Sequence, residues 1–292
     1  MRLADETIAI LGSGQVGTAL NAKLREQEGV NFALFSHTEA DITDLEALRR
    51  CLEPLRPTLV LHTAAFTRVN ECERDPERAF AVNVSGTMNV VQVAREHAAR
   101  VLYFSTDYVF PGKPVGEYDE NETPSPLNVY GSSKREGELV VLAYEQGVVL
   151  RTAQVFAPDG RNFPNAIFAS YREKKQVSVV DEEFATPTYA PHLAEALLAL
   201  LPVAEVGAIY HLRGPEELAY YDFACRLFRA AGLPEEVIQS VSASALDLPA
   251  KRPRRAVLGM KRYFAHQLPP LPPLSEAISD FARCSRLLLG ER

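Results

Sequence analysis

The chain has no tryptophan, only three methionines and only four cysteines in 292 residues. Cys51, Cys72, Cys225 and Cys284 lie far apart, with neither a CxxC pair nor metal-ligand spacing, which excludes a disulfide framework and a cysteine-based zinc site. They read as reduced, mostly buried thiols. No run of about 18 apolar residues occurs, so no membrane-spanning helix is expected. The first residues lack the charged, apolar and small-residue regions of a signal peptide, and the expected location is the cytoplasm. Dense Lys/Arg tracts are missing as well, and with a formal charge of −7 a nucleic-acid partner is not expected. Arg252, Arg254 and Arg255 form the one compact basic cluster. No internal repeat is visible. His62 and His211 fall at the ends of expected strands and His192 at a loop-to-helix junction, so structural roles lead and no metal is implied.

What is present is a 47% hydrophobic composition, enough for a large core in one domain or two unequal ones. Thr7 to Leu11 is an apolar, β-branched run that flows into Gly12-Ser13-Gly14-Gln15-Val16-Gly17 and then into a helical pattern. Strand, glycine turn and helix in that order form a dinucleotide cradle: the glycines let the backbone approach a pyrophosphate, and the helix N-terminus meets its charge. Further strands are expected at Asn31 to Phe35, Thr58 to Leu61, Arg100 to Phe104 and Val148 to Arg151. Helices from Asp44 to Cys51 and from Pro76 to His97 alternate with them. The fold class is α/β, a doubly wound parallel sheet with a smaller C-terminal substrate domain. Residues 1–155 are assigned to dinucleotide binding, with elements returning around 176–212, and 156–292 mainly to substrate binding. A helix from Tyr221 to Ala231 should end at Gly232, and the Pro-rich Leu268 to Leu274 reads as a rigid surface connector.

Tyr130 and Lys134 stand four residues apart, which on a helix places both side chains on one face. A free phenol has a pKa of roughly 10, and an adjacent ammonium is expected to lower it toward the range useful for general acid catalysis. In an open α/β sheet ligands sit beyond the carboxyl ends of the strands. His62-Thr63-Ala64-Ala65-Phe66 and Ser105-Thr106-Asp107-Tyr108 occupy such positions, the first with small residues beside a ligand, the second with a hydroxyl next to a carboxylate. The second strand runs out in Phe35-Ser36-His37 without the acid that would select NAD, so NADPH is the expected cofactor, with NADH left open.

These stretches resemble the extended short-chain dehydrogenase/reductases, and within them the dTDP-4-dehydrorhamnose reductase family. The likeness runs through Gly14-Gln15-Val16-Gly17, Asp41-Ile42-Thr43-Asp44, Ala64-Ala65, Val82-Asn83 with Gly86, Phe104 to Phe110, and Pro126 to Lys134 with Gly137-Glu138. It continues through Arg151-Thr152, Gly160-Arg161-Asn162-Phe163, Asp181, Thr186-Pro187-Thr188 and Arg252-Pro253. The resemblance implies that Tyr130 protonates a substrate carbonyl oxygen as the nicotinamide gives hydride, that Thr106 bonds the same oxygen, and that Lys134 binds the nicotinamide ribose. It further implies cofactor contacts from Gly12, Gly14, Gln15, Val16, Ser36, Asp41, Ile42, Ala64, Ala65, Phe66, Asn83 and Phe104. The implied substrate is a nucleotide sugar held by Thr106, Asp107, Tyr108, Gln154, Asn162 and Arg254, and a homodimer is the assembly it allows.

Sugar-nucleotide dehydratases of the same superfamily carry a glutamate where this chain has Tyr108, so the resemblance favours reduction over elimination. Four departures concern the sugar pocket and the phosphate turn. The Gly12-Ser13-Gly14 turn is one residue shorter than GxxGxxG. The family's Arg-Thr-Ser-Trp reads Arg151-Thr152-Ala153-Gln154, which removes an aromatic platform. The usual Asp-Gln is Asp181-Glu182, and Leu258 to Lys261 also differs. A second reading is a cofactor-binding regulatory subunit, since the β subunit of methionine adenosyltransferase resembles the same family.

Overall fold

In the computed structural model, which describes residues 2–174, 176–245 and 248–289, six parallel strands form one sheet. The elements in chain order begin β1 (Thr7–Leu11), α1 (Gln15–Arg25), β2 (Asn31–Phe35), α2 (Leu45–Leu52), β3 (Leu59–His62), α3 (Val69–Arg74), α4 (Pro76–Phe80) and α5 (Gly86–Glu96). They continue with β4 (Arg100–Thr106), α6 (Val129–Leu142), β5 (Gly147–Thr152), β6 (Val155–Phe156), α7 (Phe163–Lys174), β7 (Val177–Val180), β8 (Phe184–Ala185) and β9 (Thr188–Tyr189). The rest are α8 (Ala190–Leu200), β10 (Ile209–His211), β11 (Leu218–Ala219), α9 (Tyr220–Ala231), β12 (Ile238–Val241), α10 (Lys261–Ala265) and α11 (Leu274–Leu289).

The sheet order is β10-β5-β4-β3-β1-β2. Because side chains alternate across a strand, Ile8, Ile10, Leu59, Leu61, Leu102 and Leu150 bury on one face with Leu20 and Leu24 of α1 and the apolar side of α8. Ala9, Leu11, Val60, Val101, Tyr103 and Val149 bury on the other, under α2, α5 and α6. Both faces are thus covered, which is the doubly wound arrangement. A separate core joins Phe156, Phe168, Phe223, Phe228 and Phe281 from β6, α7, α9 and α11.

Three expectations are corrected. Pro76 to His97 is not one regular helix: residues Ala81–Ser85 widen into a π turn between α4 and α5. Leu268 to Leu274 rides on the surface only in part: Pro269, Pro270 and Pro273 are exposed, but Leu271 and Leu274 are buried and the Tyr263 hydroxyl donates to the Pro269 carbonyl at 2.8 Å. All four cysteines are free, but only Cys72 is buried. α9 ends where Gly232 adopts φ 74°, a left-handed cap. No helix among the described residues is long and apolar enough to cross a membrane.

Candidate active site

The sheet order reverses at β1, whose neighbours are β2 and β3, and the crevice at such a switch point is where α/β sheets bind ligands. A cleft of about 930 Å³ opens there, walled by the turn after β1, the loop after β3 and the end of β4. Gly12 adopts φ 107°, and a Cβ on it would stand 2.7 Å from the Ala64 amide nitrogen, so only glycine lets the turn pass this close to β3. The turn is pinned by Gly12 N–H donating to the Phe35 carbonyl at 2.9 Å and by the Thr63 hydroxyl, 2.9 Å from both the Leu11 and Gly12 carbonyls. Gly14, the N-cap of α1, has nothing within 4 Å of its Cβ position. An open space before a helix N-terminus fits a dinucleotide pyrophosphate despite the shortened glycine spacing.

Gly12, Gly14, Gln15, Val16, Asp41, Ile42, Ala64, Ala65, Phe66 and Phe104 all line the cleft. Ser36 does not line it. Its N–H and hydroxyl both donate to the Glu39 carboxylate, at 2.8 and 2.6 Å, so the hydroxyl expected for the cofactor is already engaged. Partial burial pushes Asp41 up, but bonds from the Thr43 N–H at 2.9 Å and hydroxyl at 2.7 Å, with His37 nearby, leave it below the usual carboxylate range.

Asn83 also lies behind the cleft wall. The π turn points its amide at Phe66, accepting from that N–H at 2.8 Å and donating to its carbonyl at 3.1 Å, while a third bond reaches the Ser133 hydroxyl at 2.9 Å. With every polar atom engaged, Asn83 braces the β3 loop against α6 and lies outside the cleft lining. Arg78 and Arg161 line the cleft too and were missed from sequence, although Arg161 lies inside the quoted Gly160-Arg161-Asn162-Phe163 stretch. The Arg78 guanidinium lies 4.7 Å from the centre of the Phe66 ring.

Tyr130 and Lys134 both project from α6 into the cleft, with Thr106 facing them from the end of β4. Gly131 permits this approach: a Cβ there would sit 2.2 Å from the Tyr108 carbonyl oxygen. The Asn128 side chain caps α6 by accepting from the Gly131 N–H at 2.7 Å. Lys134 is buried, its ammonium 4.0 Å from the centre of the Tyr103 ring. Loss of water brings Lys134 down to about 7, against the pull of Glu138. Tyr130 is not lowered as expected. Burial pushes its phenol up, a hydrogen bond with Thr106 opposes this, and Lys134 lies against Tyr103 instead.

The substrate-side residues divide. Asp107 is buried and raised to about 7 by that burial, though it accepts from the Thr106 hydroxyl at 2.9 Å. The Tyr108 ring meets the Tyr130 ring edge to face at 5.8 Å. Gln154 lines the cleft with φ 46°, a left-handed backbone uncommon outside glycine and one that clusters at functional sites. Asn162 does not: its amide donates to the Gln15 side chain at 2.7 Å and the Ala157 carbonyl at 2.8 Å, and its oxygen accepts from the Asn165 N–H at 2.9 Å. It latches the C-terminal segment onto the glycine turn. Arg254 lies outside the cleft lining, 3.4 Å from Glu182. The basic cluster is tied up as well, Arg255 pairing with Glu217 and Arg252 donating to Asn70 at 3.0 Å. No metal-ligating group is found among the described residues.

Sheet, glycine cradle and the Thr106, Tyr130, Lys134 convergence define a Rossmann-type short-chain dehydrogenase/reductase of the extended kind. Residues 6–286 match the RmlD substrate binding domain family, and the chain belongs to it. It is 34% identical to a dTDP-4-dehydrorhamnose reductase of Streptomyces griseus, over 94% of this chain and 92% of that one. A dTDP-4-keto-6-deoxy-D-glucose reductase of Streptomyces niveus is 30% identical, over 95% and 96%. The crystal structure of a Bacillus anthracis dTDP-4-dehydrorhamnose reductase in complex with NADP superposes with a TM-score of 0.88 at 27% identity, over 96% and 99%.

Proposed function

We propose that the cleft reduces the 4-keto group of a dTDP-linked sugar, taking dTDP-4-dehydro-L-rhamnose to dTDP-L-rhamnose, with NADPH as reductant and NADH able to replace it. The carrying observation is the convergence of Thr106, Tyr130 and Lys134 on one wall of a cleft whose other end is the glycine cradle. When bound, the nicotinamide supplies the hydride. Tyr130 gives its phenolic proton to the carbonyl oxygen, Thr106 turns its hydroxyl proton from the Asp107 carboxyl to that oxygen, and the Lys134 ammonium holds the nicotinamide ribose. Donors placed in advance at the one oxygen where charge builds stabilise the transition state more than the ground state. Tyr108 stands where a dehydratase would carry its glutamate, so that base for elimination is missing. The reductase names of the relatives and the assembled site favour the enzyme over a regulatory subunit.

The test is to titrate the purified protein with NADPH and NADH, then add the upstream enzymes that generate the unstable ketone and follow dTDP-rhamnose. Cofactor binding with no ketone-dependent oxidation of NADPH rejects the substrate. A second sugar is worth the same assay, because Gln154 replaces the family's aromatic platform and the Streptomyces niveus relative is named for another 4-keto sugar. We also propose the two-part division near residue 155, with α8 and β10 returning to the cofactor half. A cytoplasmic location is supported by the four free thiols, and a homodimer is the assembly the resemblance allows.

A further inference from the structure

Glu138 and Arg151 line no part of the cleft, yet they are its most deeply buried charged neighbours, each with 0% of its surface exposed. Glu138 follows Lys134 by one helical turn and Tyr130 by two, so the three form one stripe on α6. Its Oε1 accepts from Arg151 Nε at 2.7 Å and from the Ser105 hydroxyl at 2.6 Å, and its Oε2 accepts from Arg151 Nη2 at 2.8 Å and Arg135 Nη1 at 2.9 Å. Arg151 is held from its far side by the Phe110 ring at 5.0 Å and by Nε2 of His211 at 3.3 Å, whose Nδ1 lies 2.9 Å from the Gly259 carbonyl. A buried ion pair is weak evidence for stability, since packed apolar side chains often serve as well. This one connects the helix of Tyr130 and Lys134 to Ser105, the neighbour of Thr106.

Resting on the reductase reading, we propose that Glu138, locked by Arg151, is the positioning residue for Lys134. Its carboxylate is the buried counter-charge of the ammonium, and its bond to Ser105 fixes the Thr106 end of β4 against α6. The groups that act on Lys134 or lie against it are Glu138 on α6, Tyr103 on β4 and His62 on β3, with Tyr130 one helical turn away on α6. Burial holds His62 neutral and keeps Tyr103 protonated. Glu138 is therefore the one acid acting on the ammonium among the described residues. Without its charge, Lys134 loses a proton more readily, and the unpaired Arg151 adds repulsion of the same sign.

The experiment measures NADPH dissociation constants of wild type and Glu138→Gln between pH 5.5 and 8, with kcat/KM over the same range. The variant-to-wild-type ratio cancels titrations common to both proteins, including the cofactor's own phosphate. For a displacement of one pKa unit the ratio should climb from about one at pH 5.5 to about tenfold at pH 8. The alkaline fall of kcat/KM should move to lower pH in step. A constant ratio in the folded variant, meaning a uniform loss, overturns the proposal, since a merely structural role predicts that. Should Glu138→Gln not fold, Arg151→Met, which keeps the Glu138 carboxylate on its Arg135 partner and removes the opposing buried charge, is read in reverse: the ratio should fall below one as pH rises, and a constant ratio overturns the proposal. The binding arm needs no sugar, so NADPH binding without ketone turnover rejects the substrate reading separately.

Discussion

Glu39 folds back onto the end of β2, where its carboxylate accepts from both the N–H and the hydroxyl of Ser36, at 2.8 and 2.6 Å. These bonds hold Glu39 below the usual carboxylate range. An acid at the end of the second strand accepts from the 2′-hydroxyl of NAD and repels the 2′-phosphate of NADP. Glu39 brings a carboxylate to that end of the strand from three residues downstream, outside the cleft lining, and engages the Ser36 donor at the same time. Glu39→Gln should tighten NADPH binding by about three- to tenfold, with NADH binding changed less than about twofold, as expected for one screened surface charge. Calorimetry with both cofactors decides it. Equal gains for both would show that the 2′ position is read elsewhere.

Tyr130→Phe removes one hydroxyl and leaves the ring that packs against Tyr108. Reduction should fall by about 10²-fold or more, the usual contribution of a positioned general acid, with NADPH affinity within about twofold of wild type. A variant keeping more than about a tenth of the turnover has lost under about 1.4 kcal/mol, too little for the proton donor of this reaction.

Gly131→Ala tests the closeness of the two walls. The added methyl would stand 2.2 Å from the Tyr108 carbonyl oxygen, a backbone atom that cannot swing aside, so α6 must withdraw from the Thr106 turn. Displacement near one ångström at a reacting centre costs about 10²-fold in rate. We expect kcat to drop by that order while NADPH still binds, together with a lower melting temperature. Wild-type kcat would mean that Thr106 and Tyr130 need no fixed separation.

The contrast between Gly131 and Asn83 explains how much of this site could be read from sequence. Tyr130, Lys134 and Thr106 announce themselves because their spacing and their places after strands are local properties, as are the strand alternation and the Gly12 turn. Asn83, Ser36 and Asn162 carry suitable polar groups, but other partners consume them: Phe66, Ser133 and Gln15 are distant in sequence, while Glu39 and Ala157 lie three and five residues away and depend on the turn each segment adopts. Such pairings form only once the chain has folded. The same holds for Tyr130, whose environment depends on burial and on Lys134 lying against Tyr103, neither visible in a five-residue motif.

Lys134→Met separates the cost of the buried ammonium from its use. Burial lowers Lys134 from the ordinary lysine value to about 7, so between pH 7 and pH 10 the unfolded chain binds more protons at this residue than the folded one. The ammonium therefore costs stability in full below about pH 7, and the cost fades as pH rises toward the unfolded value. Methionine keeps the aliphatic stem against Tyr103 and removes the charge. The ligand-free variant should be more stable than wild type by a few kcal/mol near pH 6.5, since each unit by which burial lowers the lysine costs about 1.4 kcal/mol, and the gain should shrink toward pH 9.5. Cofactor binding should weaken at the same time, because the ribose loses its cation, and wild-type affinity itself should decline above pH 7. Denaturant unfolding at pH 6.5 and 9.5, paired with calorimetric NADPH titrations, measures both effects. A destabilised variant at pH 6.5 would mean that Glu138 more than repays the burial of the ammonium, and unchanged cofactor affinity would remove Lys134 from the ribose.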